Sequence, residues 1–155
     1  MVTRNIMNPG RGRMAQPKAQ VLNKSVGGTD RGGFELAIDK IEGVVYMKLW
    51  GVWHLDVAHE FHAGVTGAGG QFKGREWGII ADSSRFGAQS QEVARLRGET
   101  MAAARSLGCG KIASIGSSVV HAMQFKRISE ESHVGSGVFA DEKSALEWVH
   151  EQRRK

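Results

Sequence analysis

Arg75-Glu76-Trp77-Gly78-Ile79-Ile80-Ala81-Asp82-Ser83-Ser84-Arg85-Phe86-Gly87-Ala88-Gln89-Ser90 is the stretch whose reading decides the fold. Trp77 to Ala81 is a short apolar run, too brief for a helix and followed by turn-forming residues. That is the pattern of a strand buried on both faces. The run ends in Asp82-Ser83-Ser84, just before a long amphipathic segment. In open α/β sheets, ligands and switches gather where central strands give way to helices. Asp82-Ser83-Ser84 at the end of this strand is therefore the expected active rim.

Upstream, Phe34 to Asp39 alternates, with Phe34, Leu36 and Ile38 on one side and Glu35 and Asp39 on the other, as in a half-buried strand. Lys40-Ile41-Glu42-Gly43 turns the chain. Val44 to Trp50 follows as a second strand with Val45, Met47 and Leu49 on one face, and the two are expected to pair as a hairpin. Trp53 to about Gly64 reads as a helix whose inner sector carries Val57, Ala58, Phe61 and Val65. Asp56, His59, Glu60 and His62 lie opposite. Gly64, Gly67, Gly69 and Gly70 then suggest a loose connection into the central strand.

Downstream, Gln89 to Leu107 is the longest expected helix, with Val93, Leu96, Met101, Ala104 and Leu107 at helical spacing. Ser90 suits its N-cap and Gly108 its stop. Lys111 to Ile115 is a further strand. Ser117 or Ser118 caps a helix carrying Val120, Met123 and Ile128. Gly137 to Ala140 is the last strand, and Asp141 caps a final helix with Ala145, Leu146 and Val149 inward. An opening hairpin followed by alternating helix–strand units predicts an α/β fold: a mixed sheet of about five strands with right-handed parallel crossovers.

The chain has 155 residues, enough for one domain, and 41% of them are apolar, which suits a single core. No run of about 18 apolar residues occurs, which excludes a spanning helix. The start lacks the apolar centre of a signal peptide, and Cys109 is the single cysteine; both point to a cytoplasmic protein without a disulfide framework. The pI of 9.7 invites a nucleic-acid reading, but the charge is concentrated in one place. Residues 1–33 hold six basic side chains against Asp30 alone, whereas residues 34–155 hold 15 basic and 15 acidic ones. Both prolines and six glycines also fall in 1–33. Residues 1–32 read as a flexible basic tail, at most a weak electrostatic arm for nucleic acid, and 33–155 as the domain.

The chemical signals are thin. His54, Asp56, His59, Glu60 and His62 are metal-ligand types, but they lack the His-Glu-x-x-His spacing and occupy the polar side of an amphipathic helix, so no metal and no cofactor is expected. Gly108-Cys109-Gly110-Lys111-Ile112-Ala113 matches Gly-x-Gly-x-x-Ala in letters. It follows a helix and opens a strand, the reverse of what dinucleotide binding needs. Cys109 sits in a helix-to-strand turn and reads as structural. The serines lack a nucleophile elbow; Ser83 and Ser84, placed just past a strand, are read chiefly as helix caps, with anion binding as a lesser alternative. Trp50 and Trp53 flank Gly51, and with Phe61 and Phe72 they would line an apolar ligand pocket.

The hairpin, the strand ending in Ala81-Asp82-Ser83, the strand Lys111-Ile112-Ala113-Ser114-Ile115, and the closing Phe139-Ala140-Asp141 with Ala145-Leu146-Glu147-Trp148-Val149 resemble the SpoIIAA-like branch of the STAS superfamily. The resemblance covers about residues 33–151. It implies a STAS-like domain, comparable in fold with bacterial anti-sigma-factor antagonists and with CRAL-TRIO lipid carriers. In the antagonists a serine several residues past a strand-ending Asp is a phosphorylation switch. With Asp82 in the place of that Asp, the spacing carries the switch to Ser90, flanked here by Gln89 and Gln91 and not followed by Gly-Leu.

The expectation is thus a non-enzymatic regulatory domain that binds a protein partner through the rim of Asp82, Ser83, Ser84, Phe86 and Ser90. The alternative is a carrier or sensor of a small hydrophobic, lipid-like ligand held by Trp50, Trp53, Phe61 and Phe72. Homo-oligomerisation is left open by the pattern.

Overall fold

The computed structural model describes residues 23–116 and 119–153. Strands β2 (Gly32–Asp39) and β3 (Val44–Gly51) pair antiparallel from Gly32 opposite Gly51 to Asp39 opposite Val44. Asp39 Oδ1 holds the turn by accepting from the amides of Ile41 at 3.1 Å and Glu42 at 2.9 Å, an Asx-turn. As the alternation predicts, Phe34, Leu36, Val45, Met47 and Leu49 share one core face.

A strand that the sequence did not suggest, β1 (Asn23–Thr29), pairs antiparallel with β2. It lies within the stretch read as tail, so the domain starts by Asn23 and not at residue 33. Asn-Lys-Ser-Val-Gly-Gly-Thr shows no alternation because an edge strand is held by its main-chain ladder more than by buried side chains. Residues 1–22 lie outside the described residues.

The chain continues through α1 (Leu55–Gly70), β4 (Trp77–Phe86), α2 (Gln91–Ser106), β5 (Cys109–Ile115), α3 (Val119–Ser132), β6 (Gly135–Phe139) and α4 (Glu142–Arg153). The described sheet has six strands in the order β1-β2-β3-β4-β5-β6, parallel from β3 onward. Each crossover steps the same way across the sheet, so the right-handed rule lays α1, α2 and α3 on one face. There α1 packs on α2 and α2 on α3, over a core that includes Phe61, Val65, Trp77, Ile79, Val93 and Ile112. Among the described elements, α4 alone folds back on the other face, against β4, β5 and β6. Its Ala145 and Val149 close a smaller core with Val44, Ile80 and Ala113.

Three further expectations are corrected. First, β4 does not stop at Asp82; it runs ten residues, to Phe86, so Ser83 and Ser84 are strand residues and not helix caps. Polar residues continue the strand because its pairing with β3 runs on to Phe86 regardless of side chain. Second, Gly64, Gly67, Gly69 and Gly70 are helical and form the second half of α1. Two of them permit close packing: a Cβ at Gly64 would lie 2.9 Å from Leu36 Cδ1, and one at Gly69 would lie 2.6 Å from Trp77 Cζ2. Third, Met123 faces outward, 68% exposed, while Phe125, Ile128 and Ser132 form the inner stripe of α3. Met123 stands two residues, about 200°, from Phe125 and so points away from it. The caps proposed at Ser117 and Ser118 lie outside the described residues.

Candidate functional site

The loops at the carboxyl ends of β3 and β4 are tied together by one side chain. Gln89 accepts through Oε1 from the Trp53 amide at 2.7 Å, and its Nε2 donates to the carbonyls of Gly51 at 3.0 Å and Gly87 at 2.7 Å. Its own amide donates to Gln124 Oε1 at 3.5 Å, and its carbonyl accepts from Gln124 Nε2 at 3.3 Å. Gly87 also donates to the Gly51 carbonyl at 3.1 Å. Gly51 has φ +73, and a Cβ there would meet the Arg31 carbonyl at 1.9 Å. Only glycine fits that corner. The β3–α1 loop, the β4–α2 loop and α3 thus form one fixed rim.

The outward residues of this rim include two large apolar side chains. Val52 is 60% exposed and Leu55 40%, with His54, Ala88 and Ser90 exposed beside them. Ser90 is the N-cap of α2, as the sequence suggests, its Oγ accepting from the Val93 amide at 3.2 Å. The remaining expected rim residues point elsewhere. Ser83 is buried on the helix-covered side, where its Oγ accepts from Ser114 Oγ at 3.3 Å. Asp82 and Ser84 lie on the opposite face of the sheet, with Asp82 Oδ1 accepting from both the amide and the hydroxyl of Ser84 at 3.0 and 2.7 Å. Phe86 is buried against Trp53, their centroids 5.0 Å apart.

Phe86 is turned inward by a β-bulge. From Lys48 to Trp50, β3 advances two residues, while its partner β4 advances three, from Asp82 to Arg85. The extra residue re-aims the strand end, and no local pattern in the sequence marks where it falls. Behind the rim lies Arg97, fully buried on α2, its guanidinium 4.9 Å from the centroid of Phe86. Its Nε and Nη1 make no hydrogen bond, and burial pushes its pKa down to about 10. Arg97 occupies the inner spacing of Val93, Thr100, Met101 and Ala104, so the helical repeat itself marked it.

The four aromatic residues expected to line an apolar pocket do not converge. Trp53 and Phe61 pack at 5.0 Å within a cluster that includes Phe34. Phe72 stacks on Trp77 at 5.2 Å. Trp50 points to the other face of the sheet, its Nε1 donating to the Thr29 carbonyl at 2.8 Å. Two indoles three residues apart are both accommodated because the strand separates them. Trp53, Phe61 and Phe72 are buried against protein.

The histidine-rich face of α1 is partly engaged in tertiary contacts. Thr100 Oγ1 donates to the Leu96 carbonyl and accepts from His62 Nδ1 at 2.7 Å, linking α1 to α2. Glu60 Oε1 accepts from the Gly28 amide at 3.2 Å. Among the described residues no three His, Cys, Asp or Glu side chains cluster as a metal site would require. Cys109 is buried and burial pushes its thiol up to about 12, so it is not a nucleophile at neutral pH. Among the described residues no helix is long and apolar enough to cross a membrane.

No protein-family model matches the chain, and no curated protein does. Among solved structures, it is similar to an uncharacterised protein of the DUF3478 family with a SpoIIAA-like fold, from Shewanella loihica PV-4. The TM-score is 0.56 at 13% identity, over 83% of this chain and 95% of that one. Strand order, helix placement and this likeness agree: the chain has a SpoIIAA-like α/β fold.

Proposed function

We propose that this chain is a non-enzymatic regulatory or interaction domain that binds a protein partner through the rim of Val52, His54, Leu55, Ala88 and Ser90. The observation that carries the reading is the Gln89 clip, which fixes two loops and leaves Val52 and Leu55 turned to solvent. A preordered surface binds at lower entropic cost than a loose one, and exposed apolar side chains grouped on a rigid rim suit a partner surface. Ser90 is exposed at the start of α2, next to the Gln89 clip, where an added charge would alter the rim. The structural neighbour has no stated activity, which leaves the reading resting on the rim.

The test is quantitative capture of partners after cross-linking in the source cells. Val52→Glu with Leu55→Glu is compared with Ile41→Glu, a control in the β2–β3 turn at the opposite end of the sheet, where Ile41 is 92% exposed. The double variant is expected to lose a partner that the wild type and the control retain. Equal recovery from all three would exclude the rim.

A further inference from the structure

Among the described residues, the face of the sheet opposite α1, α2 and α3 is covered by α4 only in part. β4 records the change: Gly78 and Ile80 are buried on this side, whereas Asp82 is half-exposed and Ser84 exposed. Parallel strands are normally covered on both faces, so this upper half, which no described element covers, calls for an explanation. It is concave. A depression of about 350 Å³ is lined by Asp30, Glu35, Lys48, Trp50, Asp82, Ser84 and Arg85, among others. It continues past Glu35, Lys48 and Asp82 into a second depression of about 230 Å³ that reaches Tyr46 and Glu142. The first alone falls within the ~300–1,000 Å³ usual for small-ligand clefts.

The floor is a cross-strand row. Glu35 stands opposite Lys48, and Lys48 opposite Asp82, on β2, β3 and β4. Lys24 on β1 pairs with Glu35 at 3.5 Å. Asp82 is oriented by both donors of Ser84 on its Oδ1, which leaves Oδ2 to accept from elsewhere. The bulge in β4 brings Arg85 level with Trp50. The indole is held flat by its bond to the Thr29 carbonyl and by Gly33 beneath it, where a Cβ would lie 2.8 Å from Cζ2. The trough thus combines a fixed aromatic plate, carboxylate acceptors and cationic donors.

This alternation decides the class of ligand. A free cation would meet Lys48 and Arg85, and a free anion would meet Asp30, Glu35 and Asp82. A neutral molecule bearing many hydroxyls suits both, because each hydroxyl donates to a carboxylate and accepts from a cation. The C–H face of a sugar ring matches an indole plate. We propose that the trough binds a neutral carbohydrate, with one pyranose ring stacked on Trp50 and its hydroxyls bonded to Asp82, Glu35, Lys48 and Arg85. This site is separate from the rim and stands without it.

The test titrates the ¹⁵N-labelled full chain with maltose, cellobiose and N,N′-diacetylchitobiose in separate experiments, following the Trp50 indole and the Lys48 and Ser84 amides by NMR. Spermidine and inorganic phosphate form two further arms. At least one disaccharide should shift these signals saturably, with millimolar affinity. Lys48→Met and Asp82→Asn should each weaken it about tenfold. Neither position is buried, so both variants should fold, and their unperturbed spectra elsewhere would confirm it. Three outcomes overturn the proposal: silence with all three disaccharides to ~50 mM, which is weaker than any affinity worth about 2 kcal/mol; equal affinity in the variants; or shifts with spermidine or phosphate alone.

Discussion

Arg97 brings a charge into the interior against the ring of Phe86, with Nε and Nη1 unbonded. A cation over a desolvated ring recovers about 2 kcal/mol, whereas taking a guanidinium out of water with two of its nitrogens unbonded costs several. Burial holds its pKa near 10, so at neutral pH the side chain remains charged and the cost persists. Arg97→Met, which keeps the length and removes the charge, should raise stability by about 1–3 kcal/mol, measured from the urea midpoint. No change, or a loss, would mean that the guanidinium has a partner of greater worth than the ring. Gln89 shows the opposite economy, since each of its polar side-chain atoms is satisfied by a loop it joins. Both residues escape simple pattern reading. Amphipathic spacing places a residue on a face, but it does not tell what an amide or guanidinium meets there.

At the level of elements, the glycines of the helices separate into two kinds. Gly69 in α1 faces Trp77 and Leu107 with no room for a methyl group, while Gly98 in α2 has nothing within 4 Å of an added Cβ. Gly98→Ala should therefore stabilise the protein by about 1 kcal/mol through helix propensity. Gly69→Ala should destabilise it by about 1–3 kcal/mol by overpacking. Thermal unfolding of the pair separates the two effects, and equal shifts of the same sign would refute the distinction. The same ambiguity explains why the second half of α1 was hidden: four glycines in seven residues read as a connection, and burial against β2 and β4 overrode their low propensity. The start of α4 was readable because its signal is local. Asp141 accepts from the Ser144 amide at 2.8 Å, which lowers its carboxyl pKa.

For the whole molecule, Cys109 is an internal reporter of unfolding. Burial holds the folded thiol near 12 against an ordinary value of 9.0. Above pH 9 the unfolded thiol loses its proton and the folded one keeps it, so stability falls as pH rises, by about 1.4 kcal/mol at pH 10. Urea midpoints of wild type and Cys109→Ala should converge between pH 8 and 10, and parallel curves would contradict the burial of the thiol. The element order from β2 to α4 was legible because hydrophobic periodicity is a property of neighbours in sequence. The placement of Asp82 and Ser84 on the face that carries α4 was not, since it depends on β4 running on to Phe86. The coverage of that face by α4 also orders events in time. Each strand lies beside the one made before it, so a chain leaving the ribosome can add β2 through β6 and cover one side as it lengthens. Val44 and Ile80 must wait for Val149. Until α4 emerges, a nascent chain carries Val44, Ile80 and Ala113 without the helix that packs on them, an apolar strip that a chaperone working at the exit tunnel would meet.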